Sequence, residues 1–181
     1  MSRIGNQPIP IPPKVAVDIR EGTVTVKGPL GEMRHSLPEG ITAAVEEGLL
    51  MVARSGDTAE QRRFHGVTRA HLANKIKGVS TGHTISLIVN GKGFSGEVKG
   101  KILEMQLGFS SRMLVEMPAG VSVTVQPGQN TFTLVVSGIN KDLVGSFASV
   151  LYRIRPVEPY NLIGFRYSDQ QVRRKAAKTT E

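Results

Sequence analysis

The chain has 181 residues, enough for one medium domain or two small ones, with 23 Lys and Arg against 15 Asp and Glu and no cysteine. The formal charge of +8 favours an anionic partner, nucleic acid or an acidic membrane surface, while the missing thiols exclude disulfides and thiolate metal sites. No apolar run approaches the ~20 residues of a membrane span, and Met1-Ser-Arg-Ile-Gly-Asn-Gln-Pro8 lacks the apolar core of a secretory signal, so the protein is expected to be soluble and to stay in the compartment where it is made.

Pro8-Ile-Pro-Ile-Pro-Pro13 cannot be helical and reads as a stiff, extended lead-in to an edge strand. Val15, Val17 and Ile19 then alternate with polar residues as a half-buried strand. Glu21-Gly22 turns the chain, and Val24 and Val26 continue the alternation on the return. Gly28-Pro-Leu-Gly31 turns again into residues 32–37. Residues 41–45 and 49–53 make two more strands joined at Glu46-Glu-Gly48, so the opening reads as one antiparallel meander. Ser55-Gly-Asp-Thr58 offers a helix cap. Residues 60–77 then read as helix with Phe64, Val67, Leu72 and Ile76 buried and Gly78 as its C-terminal cap. Lys14, Arg62, Arg63, Arg69, Lys75 and Lys77 form a solvated basic face.

The pattern then starts again. Alternation marks strands around Ile85–Val89, Leu103–Leu107, Met113–Met117, Val121–Val125 and Phe132–Val136. Residues 141–155 follow as a helix whose Leu143, Val144, Phe147, Val150, Leu151 and Ile154 make one dry stripe. Pro38-Glu-Gly-Ile-Thr-Ala-Ala-Val45 also lines up with Pro118-Ala-Gly-Val-Ser-Val-Thr-Val125, and Gly66 and Leu72 match Gly145 and Leu151. A repeat of this length implies a duplicated small domain. The expected fold class is α+β, two tandem copies of an antiparallel sheet with one helix packed on its face, followed by a basic tail. The expected boundaries are 1–81, 82–155 and 156–181.

The tail, residues 153–178, holds seven Lys and Arg against two acidic residues, with Tyr160, Phe165 and Tyr167 spaced among them. No hydrophobic face is evident in it, so it is expected to be unordered without a partner. Basic residues interleaved with aromatics suit phosphate neutralisation and stacking on unpaired bases. Arg153, Arg155 and the tail cations through Lys178 are therefore candidate RNA contacts. An amphipathic membrane helix does not fit the prolines and glycine there.

Gly91-Lys-Gly-Phe-Ser-Gly96 spells a dinucleotide-binding pattern, but residues 97–107 continue as strand. Without a helix N-terminus there is no pyrophosphate site. A tight hairpin that sets Lys92 and Lys99 against a phosphate backbone fits better. His35, His65, His71 and His83 show no metal-ligand spacing. No carboxylate pair or G-x-S-x-G elbow argues for catalysis. No enzyme activity, cofactor or metal is expected.

Several stretches together resemble one family. They are Ser2-Arg-Ile-Gly-Asn-Gln-Pro-Ile9, Val26-Lys-Gly-Pro-Leu-Gly-Glu32, His65-Gly-Val-Thr-Arg-Ala-His-Leu-Ala-Asn-Lys-Ile-Lys-Gly-Val79, Leu107-Gly-Phe-Ser110, Ser137-Gly-Ile-Asn-Lys-Asp-Leu-Val-Gly145, Glu158-Pro-Tyr160, Gly164-Phe-Arg-Tyr167 and Val172-Arg-Arg-Lys175. In this order and over the whole length, the chain resembles the bacterial-type large-subunit ribosomal protein L-six family. The resemblance implies two copies of one α+β domain and a non-catalytic role. It implies binding to large-subunit ribosomal RNA near the sarcin–ricin loop and the stalk base, with neighbouring large-subunit proteins and translation factors close by.

Carried over residue by residue, RNA contact falls on Tyr160, Arg166, Tyr167, Arg173, Arg174 and Lys175. The family's Pro-Tyr-Lys-Gly-Lys-Gly loop falls on residues 159–164, where this chain has Asn161 and Ile163 in place of both lysines. Ser111-Arg112 replaces the family's His-Pro. The expected location is the ribosome, cytoplasmic or inside an organelle. The rival reading is an RNA-free protein-interaction module that uses exposed sheet edges and the proline-rich start.

Overall fold

The computed structural model describes residues 4–128 and 130–176. They form two compact units, Met1–Gly82 with Ile139–Lys141, and His83–Gly138 with Asp142–Glu181. Each unit is α+β, with antiparallel strands and a single helix.

The first unit contains β1 (Ile9–Pro10), β2 (Ala16–Arg20), β3 (Thr23–Gly28), β4 (Gly31–Ser36), β5 (Ile41–Glu46), β6 (Leu49–Arg54) and α1 (Ala59–Ser80). Its strands do not make one meander as the sequence suggests. They split into two three-stranded sheets, β2-β3-β4 and β1-β6-β5. Prolines at 8, 10, 12 and 13 cannot donate to a ladder, so β1 stays two residues long at a sheet edge. The turns at Glu21-Gly22 and Glu47-Gly48 both place their two central residues at positive φ (46° and 73°; 48° and 78°), which matches the twist of a two-residue hairpin.

Thr58 caps α1 by accepting the Gln61 amide at 3.2 Å. The helix runs three residues past the expected end. Gly78 lies buried inside it, and the amides of Thr81 and Gly82 close on the Lys77 carbonyl at 2.9 and 3.1 Å. Gly82, at φ 79°, takes the left-handed position assigned above to Gly78.

The buried face of α1 is also rotated from the expected one. It presents His65, Thr68, Leu72, Ile76 and Val79, while Val67 is exposed and Phe64 only partly covered. The cause is polar. His65 Nε2 meets the Val52 carbonyl at 2.9 Å, so the imidazole rather than its apolar neighbours turns to the sheet. Val24, Val26, Ile41, Leu50 and Val52 complete this core.

The second unit contains β7 (His83–Asn90), β8 (Ser95–Lys99), β9 (Ile102–Gln106), β10 (Met113–Glu116), β11 (Val121–Pro127), β12 (Thr131–Gly138), α2 (Lys141–Ile154) and β13 (Gly164–Tyr167). Its sheets are β8-β9-β10 and β11-β12-β7-β13. The plan repeats the first unit, with β7, β12 and β11 standing where β1, β6 and β5 stand. The repeat shows locally too. Gly40 and Gly120 share the left-handed conformation (φ 75° and 85°), and the amides of Ile41 and Val121 bond back to Pro38 and Pro118 at 3.1 and 3.2 Å.

Along α2 the buried residues are Val144, Phe147, Ala148 and Leu151. Leu143 and Val150 are exposed, so the dry stripe is narrower than expected.

The expectation that the tail has no hydrophobic face to bury is corrected for its described residues. Among the described residues β13 has no counterpart in the first unit, and it pairs antiparallel with β7, Phe165 opposite Val89 and Tyr167 opposite Leu87. Phe165 is 0% exposed within the second core. Phe165→Ala is expected to cost ~3–5 kcal/mol in denaturant unfolding, whereas Ile102→Ala, at an exposed strand position, should stay within about 0.5 kcal/mol. Equal midpoints for the two variants would show that β13 does not anchor the unit.

Candidate nucleic-acid interface

The C-terminal segment leaves α2 as a strap built by its own backbone. The Phe165 amide donates to the Arg155 carbonyl at 2.8 Å and the Val157 amide to the Phe165 carbonyl at 3.0 Å. Between them, Glu158 N–H bonds Ile163 O at 2.9 Å and Leu162 N–H bonds Glu158 O at 3.0 Å, which closes a tight loop. Gly164 makes the closure possible. It sits at φ 124°, and a Cβ there would lie 2.7 Å from the carbonyl oxygens of both Arg155 and Pro156. Asn90 Nδ2 donates to the Leu162 carbonyl at 3.0 Å and ties the loop to the end of β7.

Beyond β13 the chain turns back to this loop. Lys175 N–H reaches the Pro159 carbonyl at 3.0 Å and Arg174 Nε the Tyr160 carbonyl at 3.1 Å. Tyr160 is exposed at the loop, as are the side chains of Arg173, Arg174 and Lys175. Asn161 and Ile163 occupy the places where the resemblance implies lysines, and the cations beside the loop come from the returning tail.

The Gly91-Lys92-Gly93-Phe94 segment lies at the same end of β7. It is a β-turn, closed by Phe94 N–H to Gly91 O at 3.1 Å, with Lys92 exposed at its centre. The expected hairpin does not form, because β7 pairs with β12 and β13 while β8 pairs with β9. The turn instead passes the chain from one sheet to the other, and strand β8 follows it.

The structure separates the remaining candidates. Lys99, at the far end of β8, meets Glu104 at 2.7 Å and Glu97 at 3.5 Å, and Arg112 also bonds Glu104. Arg153 is exposed in the last turn of α2 and Arg166 is half-exposed on β13 opposite Ile88. The Tyr167 ring stacks on Tyr152, centroids 5.2 Å apart. Arg155 is half-buried. Its Nη1 donates to the Leu107 carbonyl, and its guanidinium lies over the rings of Phe94 and Phe109 at 5.0 and 5.4 Å. Lys178 lies outside the described residues. Lys92, Tyr160, Arg174 and Lys175 therefore share one end of the unit, while Lys99 stands apart. Asn90, Phe94 and Phe109 shape this end and have no role in the sequence reading. For the two phenylalanines the signal is an aromatic beside a glycine turn; Asn90 carries none.

Lys99, then Arg112, hydrogen-bond the Glu104 carboxylate and hold its pKa below the usual 4.5. A carboxyl whose pKa is depressed by folding contributes stability above its unfolded pKa and loses it as pH falls through the folded value. The effect is small because these groups are screened by solvent. Glu104→Gln is expected to narrow the gap between the thermal midpoints at pH 7 and pH 3; an unchanged gap would show that the contacts carry no linkage.

The sequence model of the ribosomal protein L6 family matches residues 11–82 and 89–168. The large ribosomal subunit protein uL6 of Rippkaea orientalis is 42% identical over 179 residues, covering 99% of this chain and 98% of that protein. The uL6 proteins of Microcystis aeruginosa and Prochlorococcus marinus are 43% and 42% identical over 98% and 99% of this chain, and 93% and 98% of their own lengths. Each of the two matched stretches covers most of one unit of the duplicated fold. The match over nearly the whole length and the doubled architecture agree: the chain belongs to the ribosomal protein L6 family.

Proposed function

We propose that this chain is a structural constituent of the large ribosomal subunit and binds large-subunit ribosomal RNA through the strap-and-turn end of its second unit. The observation that carries the reading is the return of the tail to the 158–163 loop, which sets Arg174 and Lys175 beside an exposed Tyr160. Guanidinium and ammonium groups neutralise phosphates, and a tyrosine presented on a rigid loop can stack on an unpaired base. Lys92 at the turn after β7 and Arg173 beside Arg174 add exposed cations to this end, and Arg153 and Arg166 are further RNA contacts in this reading. The family membership, the relatives' names and the net charge of +8 point the same way. The sarcin–ricin loop and the stalk base are the RNA elements we assign to it, with neighbouring ribosomal proteins and translation factors nearby. The role is non-catalytic, and the protein works in ribosomes, those of the cytoplasm or of an organelle.

Arg173→Glu with Arg174→Glu is expected to weaken binding to large-subunit RNA at least tenfold and to make the plot of log affinity against log salt shallower by ~0.7–0.9 for each phosphate that is no longer neutralised. Unchanged affinity and slope would reject the tail as an RNA-binding element. Salt-insensitive binding to a protein partner, with no RNA co-purifying, would favour the sheet-edge module instead.

A further inference from the structure

We propose that Arg155 is a positioning residue that clamps the glycine turns of the second unit to the start of the strap, so that Lys92 and the Tyr160 loop are held in place, without itself contacting RNA. The proposal rests on the RNA-binding reading above. A solvent-facing arginine at the end of a helix is a natural phosphate ligand, yet this one is already engaged. Its guanidinium lies over Phe94 and Phe109, and its Nη1 donates to the Leu107 carbonyl. A phosphate would have to draw on the donors this arginine has left, while its Nη1 and the face over the rings stay committed inside the protein.

These interactions tie together three pieces of chain distant in sequence. Phe94 closes the turn that carries Lys92, and Leu107 leads into the turn at Gly108. Gly108 lies at φ 73°, and a Cβ there would stand 3.0 Å from both Arg155 Nη1 and Phe94 Cε1, so the absent side chain is what lets the guanidinium close down. From the other side, the Arg155 carbonyl accepts the Phe165 amide at 2.8 Å and fixes the return of the strap. One residue thus holds the glycine turns through its side chain and the strap through its main chain.

The test uses the full chain and a large-subunit ribosomal RNA fragment that contains the sarcin–ricin region. Arg155→Met keeps the side chain's length and removes its charge and donors; Arg155→Lys keeps the charge without the planar group. In the RNA-free protein, both are expected to speed hydrogen exchange at the Val157, Glu158, Leu162 and Phe165 amides. Both should also weaken RNA binding about tenfold, a part of what the cation–π contacts and the charge-assisted hydrogen bond carry, because their loss reaches the RNA only through the loosened loop. The salt slope should not change. Phe109→Ala removes one ring from an exposed position outside the core and should shift exchange in the same direction, which guards against a variant that fails to fold.

The proposal is overturned if Arg155→Met leaves exchange unchanged, or if its salt slope becomes shallower by ~0.7–0.9 and Arg155→Lys restores affinity, the signature of a direct phosphate ligand. If the wild-type protein shows no salt-dependent RNA binding, the functional reading fails while the exchange measurement still decides the clamp.

Discussion

Phe165 is fully buried in the second core although it sits in the most basic stretch of the chain, and the placement of that stretch follows from its burial. Covering a phenylalanine contributes roughly 1.5–3 kcal/mol relative to leaving it exposed, which offsets part of the cost of ordering the four-residue strand, and pairing with β7 adds to it. Once Phe165 is inside, pairing with β7 places Arg166 on the opposite side of the strand, and the residues between α2 and β13 must close as a tight loop. The cations after β13 then return to that loop. The charges of the segment are thus held beside a specific loop by an apolar side chain and a ladder of backbone hydrogen bonds.

The duplication explains why this happens in only one half. Both units use a three-stranded meander, a second sheet and one helix. In the first unit the strand equivalent to β7 is β1, cut to two residues by its prolines. A two-residue edge offers almost nothing for a further strand to pair with. In the second unit β7 has eight residues and lends one edge to β12 and the other to β13. The same fold thus serves as a closed unit in one copy and as a platform for a basic extension in the other.

Much of this was legible in the sequence, and the failures have physical causes. Period-two alternation located nearly every strand, and Pro38-Glu-Gly40 against Pro118-Ala-Gly120 revealed the repeat because the same turn geometry demands the same residues. Alternation says nothing about which strands pair at long range, so two sheets per unit looked like one meander. The face of α1 was misjudged because apolarity was counted and His65, which finds a backbone carbonyl at 2.9 Å, was not. At the candidate interface, charge and aromatic spacing marked the segment but could not sort its members. Charge counting treats Arg155 and Arg174 alike; one lies over two rings and the other stands exposed beside Tyr160. Phe165 was hidden in the same way, as one apolar residue among cations.

The central claim is that the loop and tail around Tyr160 face ribosomal RNA. The chain has no cysteine, so a single introduced thiol gives a unique tether for an iron chelate that cleaves nearby RNA. With the full-length protein bound to large subunits, a tether at Tyr160→Cys is predicted to cut the RNA strongly at the sarcin–ricin region. A tether at Ser122→Cys, exposed on β11 in the same unit, should cut it weakly or not at all. Stronger cleavage from position 122 than from position 160 would contradict the account.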